Sequence, residues 1–138
     1  MVLKWLKNLF GGTAEDISET AVKIERNEMQ REVEYKKIKN LDKVLAASAG
    51  KKIVIFKHSN ACGTSRSAKS EVDSFSVSHP EVEVYLVVVQ EQRPVSDEIA
   101  QKLGVPHESP QLFIVEDGRA VAHWSHWDIK KSEIEAVF

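Results

Sequence analysis

Two apolar, β-rich runs with a helix-length segment between them constrain this chain more than any other feature. Ile53-Val54-Ile55-Phe56 is unbroken by polar residues, and residues 82–89, with Glu83 as their one charged residue, form the longest apolar run. A strand without polar alternation is expected to be covered on both faces. In the intervening segment Ala68, Val72 and Phe75 recur at helical spacing, which predicts one buried stripe, and His79-Pro80 marks its end. A strand, a crossover helix and a second strand pair in parallel, so both strands are expected near the centre of one sheet.

The remaining segments fit around that unit. A short edge strand is expected over 35–38. A helix follows over 41–48, with Leu41, Val44 and Leu45 on one face and Gly50 as its stop. Pro94 and Ser96 introduce a third helix carrying Val95, Ile99 and Leu103, closed by Gly104. Residues 112–115 and 120–124 flank Glu116-Asp117-Gly118-Arg119, whose Asp-Gly pair predicts an antiparallel hairpin. A last helix places Ile134, Val137 and Phe138 on one face. Asp128 or Ser132 is its expected cap, with Ser132 and Glu135 spaced as a capping box. The order is β-α-β-α-β-α-β-β-α, an α/β fold whose mixed central sheet is flanked by helices. With 138 residues, 42% of them hydrophobic, the chain suits one core.

Residues 1–34 read as an N-terminal helical extension and residues 35–138 as the folded domain. The opening, with Leu3, Leu6, Leu9 and Phe10 beside Lys4 and Lys7, admits weak membrane-surface contact through residues 1–10; a tether or a helix docked on the domain is the plainer reading. From Thr13 to Glu34 the stretch is charge-dense and reads as a solvated helix. No apolar stretch reaches signal-peptide length or the ~20 residues that span a bilayer. A formal charge of -2 gives no basic field, so no nucleic-acid partner is expected. One cysteine excludes an internal disulfide and places the chain in a reducing, cytoplasmic setting.

That cysteine, Cys62, follows the first central strand and opens the crossover helix, where open α/β sheets place ligand-handling groups. Helix N-terminal amides and dipole favour an anion there, which lowers a thiol pKa from its ordinary ~8.5. Its neighbours Asn60, Gly63, Thr64 and Ser65 are polar and unsuited to a core. Ser65 stands where a dithiol protein carries its second cysteine. Its hydroxyl cannot displace a disulfide sulfur, so a mixed disulfide on Cys62 must be resolved from outside. The hydroxyl can donate a hydrogen bond to the thiolate, or serve as an ordinary first-turn helix serine.

Several segments together resemble the thioredoxin superfamily and, within it, the YtxJ-type monothiol bacilliredoxins of the bacillithiol system. They are Ile53-Val-Ile-Phe-Lys-His-Ser, Cys62-Gly-Thr-Ser65, Leu86-Val-Val-Val-Gln-Glu-Gln-Arg-Pro-Val-Ser, His107-Glu-Ser-Pro-Gln and His123-Trp-Ser-His-Trp127. The family favours Cys-Pro-Ile-Ser, whereas Gly63 and Thr64 fill the middle positions here. The resemblance implies a thioredoxin-like fold and a cis Ser109-Pro110 bond facing Cys62. It also implies a monothiol disulfide oxidoreductase that removes bacillithiol from S-thiolated client proteins, with no tightly bound cofactor and bacillithiol as thiol co-substrate. Cys62 and Ser65 are its expected catalytic pair. His58, Gly63, Thr64, His107, Ser109, Pro110, His126 and Trp127 are its expected substrate-binding residues. The three histidines titrate in the neutral range and are expected at one end of the sheet, as thiolate partners, as donors to ligand carboxylates or as structural loop residues.

Scattered histidines and one cysteine lack zinc-ligand spacing. Two other functions share the Cys-x-x-Ser turn: a glutaredoxin-like iron-sulfur cluster carrier and a non-catalytic thioredoxin-like protein-binding module. The chain lacks the Lys-Gly-Thr and Gly-Gly-x-Asp motifs of the former. A Cys62 pKa at or above the ordinary thiol value would favour the latter. An arsenate-reductase-like enzyme wants an arginine beside the proline, and Glu108-Ser109-Pro110 supplies none. Residues 91–93 read as a solvated loop, and Arg66 and Lys69 as solvent-facing charges.

Overall fold

The computed structural model describes residues 33–61 and 63–138. The expectations for residues 1–32, including their helices and lipid-facing opening, lie outside the described residues, as does Cys62. Val33 and Glu34 belong to no helix, so the expected extension helix does not reach Glu34.

The elements are β1 (Lys36–Lys37), α1 (Leu41–Ala47), β2 (Lys52–His58), α2 (Gly63–Ser78), β3 (Val84–Val88), α3 (Arg93–Leu103), β4 (Gln111–Glu116), β5 (Arg119–Ser125), a 3-10 turn (His126–Asp128) and α4 (Lys131–Val137). The sheet order is β1-β3-β2-β4-β5. β2 pairs in parallel with β3, Val54 opposite Val84 and His58 opposite Val88, and antiparallel with β4 on its other side. The two apolar runs thus take the interior positions that their composition requires.

Alternation along β2 divides the core. Ile53 and Ile55 join Leu41, Val44, Ile99 and Phe113 under α1 and α3, whereas Val54 and Phe56 join Val72, Phe75, Ile114 and Ile134 under α2 and α4. Each large side chain so buried contributes roughly 1.5–3 kcal/mol relative to exposure. Lys57, next in the alternation, is fully buried on the α3 side, where the pattern would put another hydrophobe.

Local chemistry ends the elements where expected. Gly104 caps α3 at φ 68°, and its N–H donates to the Ala100 carbonyl. Asp117 and Gly118, at φ 52° and 74°, turn the β4–β5 hairpin. Positive φ at both central residues matches the twist of the flanking strands. The hairpin tip docks on the end of α1: Gly118 N–H donates to Ser48 Oγ at 2.8 Å and Gly50 N–H to Asp117 Oδ1 at 2.9 Å.

Two local expectations are corrected. The cap of α4 is neither Asp128, which lies in the 3-10 turn, nor Ser132. Lys130 holds the cap position without a side-chain bond, and Glu71 of α2 accepts from the Lys131 N–H at 3.0 Å. A carboxylate from another helix therefore satisfies that end. Residues 91–93 are not simply solvated: Gln92 Nε2 donates to the Ile38 carbonyl at 3.0 Å, and Arg93 opens α3 and pairs with Asp97 at 3.1 Å.

Candidate functional site

The carboxyl ends of the parallel strands β2 and β3 meet the start of α2, and the loops there are tied by specific hydrogen bonds. After His58 the chain runs through Ser59, Asn60 and Ala61, and Gly63 begins α2. Ser65, on the first turn of α2, is fully buried, and its Oγ accepts from the Ser59 N–H at 3.1 Å. Asn60 N–H donates to Gln90 Oε1 at 3.2 Å, and Gln90 Nε2 donates to Ser59 Oγ at 2.8 Å. Ala61 N–H reaches the same Ser59 oxygen at 3.4 Å. Every amide of the loop leading to Cys62 thus has a side-chain acceptor. Ser65 is both a first-turn helix serine and a loop brace.

Gly63 is exposed, and a Cβ built on it would meet nothing within 4 Å. Space therefore does not demand glycine there, and a proline at this first helical position would suit the backbone. Thr64 follows it, half-buried.

Opposite this loop stands the entry to β4. The Ser109-Pro110 bond is cis, and Pro110 is buried. Its carbonyl accepts from the His126 N–H at 3.1 Å, which joins the 3-10 turn to the proline. The fully enclosed Gln111 braces the loop from within: its Oε1 accepts from Glu108 N–H at 3.3 Å, and its Nε2 donates to the Pro106 carbonyl at 3.1 Å. His107, in the same loop, docks on the α3 side, with Nδ1 3.2 Å from Lys57 Nζ and 3.1 Å from Ser96 Oγ.

The histidines do not form one cluster. His58 lies on the α2 side, its ring centroid 5.9 Å from that of Phe56, while His107 packs on Lys57 towards α3. His126 is exposed at φ 53°. The pKa values of His58 and His107 are both lowered from the ordinary histidine value. Burial and then the Lys69 ammonium push His58 down, and burial followed by the Lys57 and Arg93 charges does the same to His107. Both are therefore neutral near pH 7, as hydrogen-bonding groups and not cations. His58 Nδ1 and Ser109 Oγ are buried without a partner among the described residues. Buried polar atoms of this kind are uncommon and mark places where a ligand or catalytic group can be met.

Trp127 is 66% exposed in the turn beside Pro110, whereas Trp124 packs against the core under α2 and α4. Arg66 is exposed as expected, but Lys69 is half-buried, paired with Asp73 at 3.2 Å and 5.5 Å from the Tyr35 ring centroid. The sequence reading missed Lys57, Gln90, Ser96 and Gln111. Lys57 carried one usable signal, a cation inside an otherwise apolar strand; the others act through partners distant in sequence.

The family model for monothiol bacilliredoxin BrxC matches residues 33–134. The chain belongs to the monothiol bacilliredoxin family. The match covers the whole frame just described, from β1 into α4. A solved structure described as a candidate oxidoreductase with a thioredoxin fold is similar at 30% identity and a TM-score of 0.66, covering 74% of this chain and 91% of that one. Thioredoxin of Fasciola hepatica is similar at 24% identity and 0.56, covering 73% and 90%; thioredoxin of Trypanosoma brucei brucei at 14% and 0.60, covering 78% and 94%. The latter two bear on the fold alone. This bacilliredoxin family member is a thioredoxin-fold protein with a thiol redox function.

Proposed function

We propose that the chain is a monothiol oxidoreductase that removes bacillithiol from mixed disulfides on client proteins, through Cys62. The observation that carries this reading is the single cysteine, set one residue ahead of α2 in a Cys-x-x-Ser turn of a bacilliredoxin-family chain. The Cys62 thiolate attacks the bacillithiol sulfur of a client–S–S–bacillithiol bond. That bond breaks, the client leaves as thiolate and takes up a proton, and Cys62 carries bacillithiol. A second bacillithiol thiolate then attacks the adduct and departs as oxidised bacillithiol, returning Cys62 to its reduced form. A thiol pKa lowered towards ambient pH raises the thiolate fraction for attack, and a low pKa also makes Cys62 the better leaving group when the adduct is resolved.

The described residues supply the setting. Ser65 keeps the approach loop fixed through Ser59, so any hydrogen bond that it gives the thiolate comes from a hydroxyl already held in place. The backbone ahead of Pro110 pairs with the extended chain of a peptide-like thiol or client, and Ser109 Oγ with His58 Nδ1 offers further polar contacts. His107 and His126 face the carboxylates that the malate part of bacillithiol provides. Trp127, exposed beside the proline, gives a client an apolar surface. Gly63 and Thr64 stand where the family favours Pro-Ile, and at Gly63 a side chain would meet nothing within 4 Å. A reducing, cytoplasmic location agrees with one unpaired thiol.

Intact-mass spectra of the protein given oxidised bacillithiol are expected to show one adduct that dithiothreitol removes. Cys62→Ser is expected to show none, and to lose reduction of a bacillithiol-capped client entirely. An unmodified wild type under these conditions would contradict the reading.

A further inference from the structure

Behind the proline loop lies a buried cation that the exchange chemistry does not use. Lys57 is 0% exposed, and among the described residues it has no carboxylate within ion-pair distance. Its Nζ lies 3.2 Å from His107 Nδ1 and 5.5 Å from the Phe113 ring centroid. The same Nδ1 has Ser96 Oγ at 3.1 Å, and Ser96 is also fully buried. From α3, Arg93 and Asp97 act on Lys57; these two and Glu108 of the loop also act on His107.

An imidazole Nδ1 has either one lone pair or one proton. A serine hydroxyl serves both states, since it donates and accepts. An ammonium only donates, so a protonated Lys57 requires Nδ1 to be the acceptor and leaves the ring proton on Nε2. No protein group pairs with Nε2 among the described residues, and His107 is only partly buried, three residues before the cis-proline.

We propose that Lys57 is a positioning residue: it holds His107 as the neutral Nε2–H tautomer, so that the ring edge away from Lys57 is a fixed donor for a carboxylate on the exchanging thiol. The ligand part rests on the function proposed above, whereas the tautomer does not. The downward pressure of burial and of the Lys57 charge on His107 fits a neutral ring, and Lys57 itself, at about 8, stays protonated at pH 7. A neutral donor recognises a carboxylate without competing with the thiolate for charge.

Two-bond proton–nitrogen spectra of the 15N-labelled full chain at pH 7 are expected to show His107 with Nε2 protonated and Nδ1 bare. In Lys57→Met, His107 is expected to redistribute towards the Nδ1-protonated form, donating to Ser96. A protonated or rapidly averaging Nδ1 in the wild type overturns the proposal without recourse to any variant. So does an unchanged pattern in Lys57→Met.

The ligand arm compares a client capped with mercaptopropionate and one capped with its amide. Lys57→Met should raise KM about tenfold for the acid, a fold-change typical of one charge-assisted hydrogen bond, and leave the amide and kcat within about twofold. Equal effects on acid and amide would overturn this arm. Failure of the wild type to turn over either cap would count against the thiol-exchange reading, while the tautomer spectrum would still decide the role of Lys57.

Discussion

Ser65→Cys is expected to abolish the Cys62 adduct, replacing it with an internal disulfide. Ser65 sits on the first turn of α2, fully buried and bonded to the loop before Cys62. A thiol at this place restores the Cys-x-x-Cys spacing in which the second sulfur attacks the first. When Cys62 carries a small thiol, the introduced thiolate bonds to the Cys62 sulfur, the bond to the small thiol breaks, and that thiol departs with a proton. The product is two hydrogens lighter than the reduced protein. The adduct fraction in intact-mass spectra should fall by about tenfold or more, because intramolecular attack outruns a bimolecular one. The substitution also exchanges a good acceptor for a weak one at the Ser59 amide, which should cost about 1 kcal/mol. An adduct as abundant and long-lived as in the wild type would mean that position 65 does not address the reactive sulfur.

Lys57→Met is expected to stabilise the protein at pH 7 and to flatten its stability between pH 8 and 10.5. Burial, opposed by the attraction of Asp97 and reinforced by the repulsion of Arg93, lowers Lys57 from 10.5 to about 8. In that window the unfolded chain keeps a proton that the folded chain has released, so stability rises with pH until the unfolded lysine also deprotonates. The difference of about 2.5 pH units, at 1.36 kcal/mol each, places the neutral-pH cost of the buried ammonium near 3 kcal/mol. Methionine removes the charge at similar volume, as when buried ionic groups are replaced by apolar ones. Denaturant unfolding at pH 7 should therefore show a gain of about 1–3 kcal/mol, shrinking towards zero by pH 10.5. Comparing the two proteins at each pH cancels other groups, among them Tyr85, which burial pushes up to about 12. A loss of stability at pH 7 would show that the lysine contributes more through His107 and Ser96 than its burial costs.

The cost of Lys57 also explains where the sequence was legible and where it was not. The architecture was written in local terms: unbroken β-rich runs at β2 and β3, helical spacing of Ala68, Val72 and Phe75, a glycine after α3 and an Asp-Gly pair in the hairpin. Each is decided by neighbours within a few residues. The element order and the mixed sheet follow directly, and the thioredoxin-like fold is shared with known structures. The supports of the site are decided by residues far apart in the chain. Glu71 caps a helix 60 residues away, Gln90 holds Asn60 across 30 residues and Lys57 meets His107 across 50. A glutamine after a strand looks like any solvated loop residue until the fold brings a backbone amide to it. The histidines illustrate the same limit: their composition suggests neutral-range titration, and burial, which composition does not encode, lowers His58 and His107 from the ordinary histidine value.

All of the proposed chemistry requires Cys62 to be ionised at neutral pH by its place ahead of α2. The rate of Cys62 alkylation by iodoacetamide as a function of pH tests this most directly, since only the thiolate reacts and the chain has no other thiol. The expected midpoint lies clearly below the ordinary thiol value of ~8.5, with reaction still appreciable at pH 7. A midpoint at or above that value would contradict the account and leave a thioredoxin-like binding module in its place.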